Sequence, residues 1–332
     1  MAARAAAIVA GMSSRGRVFA IVLLAAAVAA GVVVVGVLAT RGHVPGTAKP
    51  RTGHPPLTIY TGVRTDAQAR ALDRAQRLYA GKQYTEAAKI FGRYESLEAQ
   101  VGQALAGWPS GTVDRLLELQ AEHPKSALVA VHLGLALFWE RRDSDAASAW
   151  QAAIRDEPDT PYAIRAGDFL HPQFAPGLPQ FVPSFQPPLA IRVLPPDRRL
   201  AALRRAAARG GAHAKLLYGS LLQQLGMPVS AEHEFAAAAK LAPSDPDARV
   251  AAAVGRFDKA NPARAFGTLG PLTRVFPHAQ TVRFHLGLLL LWSAQVKEAR
   301  RQLTLARNED PRSPLGQQAE QYLEAIGRIG TG

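Results

Sequence analysis

The stretch "VHLGLALFWERRDSDAASAWQAAIRDEP" (Val131–Pro158) decides the fold of this 332-residue chain. It consists of two helical runs joined by a polar turn, and it ends in a proline, which cannot continue a helix. The first run carries a small residue, Gly134, and the second carries Ala146 with the large Trp150 one turn later. Small residues on two antiparallel helices allow their backbones to pack closely, and a large side chain beside them fills the remaining space. The stretch therefore predicts a tightly packed helical hairpin.

The same pattern recurs in "LLYGSLLQQLGMPVSAEHEFAAAAKLAP" (Leu216–Pro243) and in "FHLGLLLLWSAQVKEARRQLTLARNEDP" (Phe284–Pro311). The small, small, large and terminating residues are Gly219, Ala231, Phe235 and Pro243 in the first of these and Gly287, Ala299, Leu303 and Pro311 in the second. Prolines that end helical runs lie at positions 124, 158, 243, 277 and 311, and they are evenly spaced except for one wider gap between 158 and 243. Because one hairpin cannot bury its apolar face alone, this recurrence predicts a stack of hairpins.

The sequence resembles the tetratricopeptide repeat family in two ways. Its prolines recur at the period of about 34 residues of that repeat, and its small and large residues fall at the signature positions. The resemblance implies an all-α, right-handed solenoid of about seven repeats over residues 66–328. Weaker units are expected at 66–95, 96–124 and 246–277, and an amphipathic helix at 314–328 is expected to cap the last repeat.

A proline-rich stretch, "HPQFAPGLPQFVPSFQPPLAIRVLPP" (residues 171–196), interrupts the array. The wider gap between Pro158 and Pro243 equals two and a half periods, which predicts one repeat that carries an insertion of half a period. Residues 161–170 and 197–211 are then the two helices of that repeat. We expect the insertion to be ordered and to pack against the solenoid, where it either fills a groove itself or contacts a partner.

The amino terminus has the composition of a membrane anchor. A basic tail (residues 1–17) precedes an uncharged apolar stretch at 18–39, whose helix would be about 33 Å long and would cross a bilayer core of about 30 Å. The alternative is a cleaved signal peptide, although the apolar cores of those peptides are shorter, at about 7–15 residues. Residues 40–65 are rich in Pro, Gly and Thr and predict a flexible linker. A short amino-terminal tail favours a single-pass protein of the cell membrane whose repeats lie outside the cytoplasm.

Composition restricts the chemistry. The chain has no cysteine. Its net charge is +13, and the first 51 residues contain six basic residues and no acidic ones, which suits an anionic membrane surface. No phosphate-binding glycine loop, nucleophile elbow or His-Glu-x-x-His motif occurs, so no catalytic residue, metal site, cofactor or small-molecule substrate is predicted. His171, His213, His278 and His285 are scattered and are interpreted as turn or cap residues. The sequence has no basic face with interleaved aromatic residues, so nucleic acid is not expected as a partner.

The helix "DRRLAALRRAAARGG" (residues 197–211) is rich in arginine. It is interpreted as a solvated face with an apolar stripe through Leu200 and Leu203, and an anionic partner or a lipid headgroup is the alternative.

In the tetratricopeptide family the first helices of successive repeats line the concave face. On the residues of this sequence, that resemblance implies an apolar groove. Its candidate binding residues are Val131, Leu135, Trp139, Val254, Phe257, Phe284, Leu288 and Trp292. Such a groove needs an occupant unless its side chains are buried between neighbouring helices.

The sequence thus predicts a membrane-anchored scaffold that binds other proteins through its groove. Two alternatives stay open. The first is an accessory or assembly factor for envelope, secretion or cytochrome-maturation machinery. The second is an enzyme on a repeat scaffold, which would need a convergent cluster of titratable groups.

Overall fold

The computed structural model describes residues 50–330. The basic tail, the apolar stretch 18–39 and the first part of the expected linker lie outside the described residues. Among residues 50–330 no helix is both long enough and apolar enough to span a bilayer. This part of the chain is built from α-helices and contains no β-strand.

The described chain divides into two compact units, residues 50–170 and residues 171–330, each with its own apolar core. The repeat signature predicts a single array over residues 66–328, whereas the structure divides this range at residue 171. The division falls at the start of the proline-rich stretch. That stretch buries its own apolar side chains, Ala175 and Phe181, in the core of the second unit.

The first unit contains three hairpins and a closing helix. Its helices are α1 (Ala67–Ala80), α2 (Tyr84–Phe91), α3 (Leu97–Ala106), α4 (Thr112–Glu122), α5 (Ala127–Trp139), α6 (Asp143–Asp156) and α7 (Pro161–Leu170). The carboxylate of Asp66 caps α1 by accepting from the N–H of Ala69, and the hydroxyl of Ser126 caps α5 in the same way. Each odd-numbered helix from α1 to α5 packs on the helix that follows it, and α7 packs on α6 and α5.

The second unit repeats this plan. Its helices are α8 (Leu189–Arg192), α9 (Pro196–Ala208), α10 (Ala212–Gln224), α11 (Pro228–Leu241), α12 (Pro246–Val254), α13 (Ala263–Val275), α14 (Gln280–Trp292), α15 (Val296–Glu309) and α16 (Pro314–Gly330). The hairpins are α10/α11, α12/α13 and α14/α15, and α16 closes the unit. The helices α14, α15 and α16 follow α5, α6 and α7, respectively, at one constant offset in sequence.

The turns inside four hairpins share one backbone conformation. Lys82, Arg141, Gly226 and Ala294 occupy the same place and have φ values of 62°, 68°, 74° and 60°. In each turn, successive N–H groups bond back to carbonyls of the last helical turn, so the carbonyls that end the helix are satisfied. Only one of the four is glycine, so three of these turns hold another residue in the left-handed region that glycine favours.

The signature glycines mark the closest approach of two helices, with one difference from the expected arrangement. Each glycine faces the large residue of its own hairpin and not the small one. A Cβ at Gly219 would lie 2.5 Å from the ring of Phe235, and one at Gly287 would lie 2.8 Å from Leu303. The alanines Ala146, Ala231 and Ala299 are fully buried beside them. The large side chain needs the space that a missing Cβ leaves, which explains why glycine and a large residue occur together.

Gly134 shows the same contact, since a Cβ there would overlap the indole of Trp150. That indole donates from Nε1 to the carbonyl of Val131 at 3.3 Å. The helices before Pro158, Pro243 and Pro311 all end shortly before the proline, as the sequence predicted.

Further sequence-based expectations also differ from the structure. The proline spacing predicts that residues 161–170 and 197–211 form one interrupted repeat, but α7 lies in the first unit and α9 in the second. Residues 50–330 therefore contain six paired hairpins and not about seven repeats. The described part of the expected flexible linker is also packed, because Leu57 and Ile59 are 8% and 5% exposed within the core of the first unit.

Candidate binding grooves

Residues 51–60, here called segment 1, run in an irregular, helix-free path over the helices of the first unit. The N–H groups of segment 1 bond to groups on three of these helices. Arg51 donates to the carbonyl of Trp139 at 2.7 Å, Thr58 to His132 Nε2 at 3.2 Å, Ile59 to Gln76 Oε1 at 2.6 Å and Tyr60 to the hydroxyl of Tyr162 at 3.1 Å. In the reverse direction, the hydroxyl of Tyr79 donates to the carbonyl of Pro55 at 2.5 Å. We call the surface of α1, α5 and α7 that receives segment 1 groove 1.

The histidine of groove 1 is held neutral and in one tautomer. His132 is fully buried in α5, and its Nδ1 lies 2.8 Å from the carbonyl oxygen of Leu128. A carbonyl oxygen only accepts, so Nδ1 carries the proton and Nε2 accepts from Thr58. Burial lowers the pKa of His132 to about 4; the bond to Leu128 opposes this shift and the nearby charge of Arg165 adds to it.

Residues 175–184, here called segment 2, are likewise bound to helices of the second unit through their backbone N–H groups. Their hydrogen bonds reach helices α10, α12 and α14. Ala175 donates to the carbonyl of Trp292 at 3.4 Å, Phe181 to Gln223 Oε1 at 2.9 Å, Val182 to His285 Nε2 at 2.9 Å and Ser184 to Asp247 Oδ2 at 3.1 Å. The ammonium of Lys259 donates to the carbonyl of Ala175 at 2.8 Å. We call the surface of α10, α12 and α14 that receives segment 2 groove 2.

The histidine of groove 2 matches that of groove 1. His285 is fully buried, its Nδ1 donates to the carbonyl of Thr281 at 2.7 Å, and its ring stacks on Phe181 with 5.0 Å between centroids. Burial lowers the pKa of His285 to about 4, against opposing contributions from the bond to Thr281 and from the charge of Asp247. The expectation that His285 is a turn or cap residue is wrong, because His285 lies in the middle of α14 and binds the backbone of segment 2.

The two segments lie in one register. Arg51 and Ala175 bond to the carbonyls of the equivalent tryptophans, and Thr58 and Val182, at the same offset in sequence, bond to the equivalent histidines. In sequence the segments share Gly-x-Pro-x-Leu/Phe, at 53–57 and at 177–181. The shared glycines have φ of 81° and 74°, and the shared prolines are both buried.

The apolar residue that ends the shared pattern is the main side-chain contact. Leu57 is 8% exposed and Phe181 is 2% exposed, and each lies in the core of its unit. The ring of Phe181 also meets Phe235 edge to face at 5.5 Å between centroids. A short sequence pattern is thus bound in both units by an equivalent histidine and an equivalent tryptophan carbonyl, whereas the third helix differs, because it is α7 in groove 1 and α12 in groove 2.

All the candidate groove residues are buried in the structure. Their exposed fractions are 1% for Val131, 3% for Leu135, 7% for Trp139, 2% for Val254, 6% for Phe257, 0% for Phe284, 3% for Leu288 and 8% for Trp292. The first three share one apolar core with Leu57 and Ile59, and the other five share one with Ala175 and Phe181. Their function in binding a partner stays a prediction, because the chain's own segments already pack into these cores.

Two polar groups at the ends of the grooves have no hydrogen-bond partner. The indole Nε1 atoms of Trp139 and Trp292 are buried and unpaired, although the carbonyls of both residues accept from their segments. Beside Trp139, the guanidinium of Arg51 lies 3.6 Å from the ring centroid of Phe138 and donates from Nε to its carbonyl at 2.9 Å. No group of three or more metal-ligating side chains converges within residues 50–330.

Sequence reasoning missed the segment–groove pairing for a physical reason. The pattern Gly-x-Pro-x-Leu/Phe is short. The separation of its two copies, at 53–57 and 177–181, is not a multiple of the period at which the helical hairpins recur. A second signal was available in "VHLG" and "FHLG", where a histidine stands two places before the signature glycine in both units. A histidine within an apolar helix needs a polar partner, and here the partner is the N–H of the segment.

No family model matches the chain, and no curated protein matches it. Among solved structures, it is similar to YrrB, described as a TPR protein with an unusual peptide-binding site, at 13% identity and a TM-score of 0.31, over 63% of this chain and 98% of that one. It is also similar to a tetratricopeptide repeat protein from Parabacteroides merdae, at 10% identity and a TM-score of 0.34, over 78% of this chain and 98% of that one. A third is the TPR2AB domain of yeast Sti1 in its Hsp90 complex, at 13% identity and a TM-score of 0.30, over 79% of this chain and 98% of that one. Likeness at this level says nothing about what this chain binds.

Proposed function

We propose that this protein is a protein-interaction scaffold whose two grooves bind extended polypeptide segments of the type Gly-x-Pro-x-Leu/Phe. The observation that supports the proposal is the equal register of segments 1 and 2, each bound by a buried histidine and by a tryptophan carbonyl. In the free protein both grooves hold the chain's own segments, so a partner segment binds by replacing one of them.

The recognition chemistry suits an extended ligand. Side chains of the grooves accept from backbone N–H groups, which every residue except proline supplies, while the apolar position at 57 or 181 enters the core. Proline restricts the unbound segment, so little conformational entropy is lost on binding. The backbone bonds therefore provide affinity, and the buried proline and the apolar residue provide selectivity.

A partner must compete with the chain's own segment for the groove, and this competition sets the affinity that the partner needs. A tethered segment acts at an effective concentration of about 1 mM, so a free peptide of equal intrinsic affinity does not displace it at micromolar concentration. A partner needs either more contacts or a multivalent arrangement. The grooves therefore stay occupied by the chain's own segments until such a partner is present.

The test weakens one tethered segment and supplies it as a free peptide. We expect the full chain with Leu57→Asp to bind a fluorescent peptide of residues 50–61, measured by anisotropy, and the unsubstituted chain to bind it at least tenfold more weakly. A peptide that itself carries Leu57→Asp is the matched control and should not bind. If the variant keeps its circular dichroism and still fails to bind the peptide, the proposal is wrong.

A second variant guards against a folding defect in the first unit. Phe181→Asp releases segment 2 and leaves segment 1 in place, so a peptide of residues 171–185 should bind to this variant. Binding to neither variant, with both folded, would exclude exchangeable segments altogether.

We also propose that residues 18–39 anchor the scaffold in the membrane and that both units lie outside the cytoplasm. The uncharged length of that stretch and the basic residues around it support the anchor. The chain has no cysteine, so a single cysteine at Thr47 can be labelled in intact cells with a membrane-impermeant maleimide. Labelling only after the cells are permeabilised would place the units in the cytoplasm, and loss of the amino-terminal stretch through residue 39 from the mature chain would indicate a signal peptide.

A further inference from the structure

The most exposed large apolar side chains of the described residues lie together near α8. Val193 is 69% exposed and Leu189 is 65% exposed, and the next most exposed, Val275, is at 57%. Both residues belong to the short helix α8 or follow it directly. Single exposed apolar side chains are common, whereas adjacent exposed apolar side chains bordered by polar residues are a feature of interaction surfaces.

Arginines occupy the same stretch of chain. On α9 the buried residues Leu203 and Ala207 lie on one face. Arg198, Arg205 and Arg209 are separated by seven and four positions, which places them on the opposite, outward face. All three are exposed, and within residues 50–330 none of them forms an ion pair with a carboxylate.

The two sets of side chains are fixed to one another. The guanidinium of Arg199 donates to the carbonyl of Arg192 at 2.8 Å and to that of Leu194 at 3.1 Å, so it satisfies carbonyls at the end of α8 from the first turns of α9. These bonds hold the end of α8 against the first turns of α9, so the exposed apolar side chains and the arginine face lie on two neighbouring helices that are fixed to each other. We call Leu189, Val193, Arg198, Arg205 and Arg209 the basic patch.

We propose that the basic patch binds the surface of an anionic lipid bilayer, with Leu189 and Val193 inserted among the headgroups and the arginines paired with lipid phosphates. A concentrated positive charge is attracted to anionic lipid, and exposed apolar side chains add affinity only where they leave water. Nucleic acid is the other polyanion that arginine binds. It is disfavoured here because residues 189–209 contain no aromatic side chain that could stack on a base.

The experiment uses the full chain in nanodiscs and the absence of natural cysteines. The variant Val193→Cys carries an environment-sensitive dye at its single cysteine, and the variant Val275→Cys, on α13, serves as the matched exposed control. We expect the emission of the dye at 193 to shift to shorter wavelength in discs that contain phosphatidylglycerol but not in discs of phosphatidylcholine alone. The dye at 275 should not respond in either lipid.

Charge removal then tests the arginines. Arg198→Ala, Arg205→Ala and Arg209→Ala together should abolish the shift, because each basic residue near an anionic surface contributes about fivefold in affinity, or on the order of 100-fold for three. Alanine favours a helix, so α9 should stay intact. The control removes three exposed charges from α15, with Lys297→Ala, Arg300→Ala and Arg301→Ala, and should keep the shift.

Three outcomes would overturn the proposal. The first is the absence of a shift at 193 in anionic discs. The second is an equal loss of the shift in the α9 and α15 variants, which would reveal a nonspecific effect of net charge. The third is a response at 193 to an added oligonucleotide that persists in phosphatidylcholine discs, which would identify nucleic acid as the ligand.

Discussion

At the scale of single residues, the two buried histidines connect packing with recognition. His132 and His285 each donate from Nδ1 to a carbonyl one helical turn earlier and accept at Nε2 from the segment in the groove. Both roles require the neutral ring. A second proton would place a positive charge in an apolar core and would replace an acceptor by a donor that faces an N–H group.

This arrangement predicts that stability falls when the pH decreases from 7 to 5. The pKa of each histidine is lowered to about 4 in the folded chain, whereas the ordinary pKa of 6.5 applies to the unfolded chain. Below pH 6.5 the unfolded state takes up protons that the folded state does not, so the loss at pH 5 is about 2 kcal/mol for each histidine. Urea unfolding of the full chain at pH 7.5 and at pH 5.0 measures the difference.

The matched variants separate these histidines from the others. His132→Gln with His285→Gln keeps a neutral acceptor without a titrating proton, so the double variant should be less stable at pH 7.5 but should lose most of the pH dependence. His278→Gln, at a side chain that is 87% exposed, should change neither quantity. An unchanged pH dependence in the double variant would show that the buried histidines do not control it.

At the scale of elements, the sequence specified the helices better than the segments between them. The hairpins α5/α6, α10/α11 and α14/α15 lie where the repeat signature placed them, because a glycine opposite a large side chain and a proline after the second helix act locally. Segments 1 and 2 have no regular period, and their partners are far from them in sequence, as in the bonds from Thr58 to His132 and from Val182 to His285. Their binding depends on tertiary contacts, which the pattern of prolines did not reveal.

The proline-rich stretch itself behaves as an ordered element. We expect the native protein to resist brief digestion by chymotrypsin at Phe181, because this side chain is 2% exposed and the neighbouring N–H of Val182 is bonded to His285. Phe181→Ala should weaken the segment by about 3 kcal/mol or more and make residues 171–185 cleavable at Phe174 and Phe185. Mass spectrometry of the fragments identifies the cut sites.

A matched control for the digestion is Leu189→Ala, which truncates a nearby side chain that is 65% exposed. This variant should be cut as slowly as the unsubstituted chain. Rapid cleavage between residues 174 and 185 in the unsubstituted native protein would show that segment 2 is not held in its groove.

At the scale of the whole molecule, the described residues 50–330 contain two units with a similar plan. Each unit contains a segment, three hairpins and a closing helix, and the second unit also contains α8 and α9 between its segment and its first hairpin. The first residues of the last three helices of the two units are related by one constant offset in sequence. The spacing of single hairpins does not reveal these two units. On that spacing all hairpins look equivalent, and segment 2 looks like an insertion within one repeat. The apolar cores separate the unit from the single hairpin, because the apolar side chains of each segment belong to the core of one unit only.

Separate cores predict separate cooperative units. Leu57→Ala removes a side chain from the core of the first unit and should lower the free energy of unfolding of that unit by about 2–4 kcal/mol, because the cavity lies among buried neighbours. Amide hydrogen exchange followed by mass spectrometry of peptic fragments should then show faster exchange in α1, α5 and α7 and unchanged exchange in α10, α12 and α14. Phe181→Ala should give the reverse pattern, so each variant is the control for the other. Faster exchange across both units in either variant would mean that the whole described chain unfolds as one cooperative body, and release of one segment would then open both grooves at once.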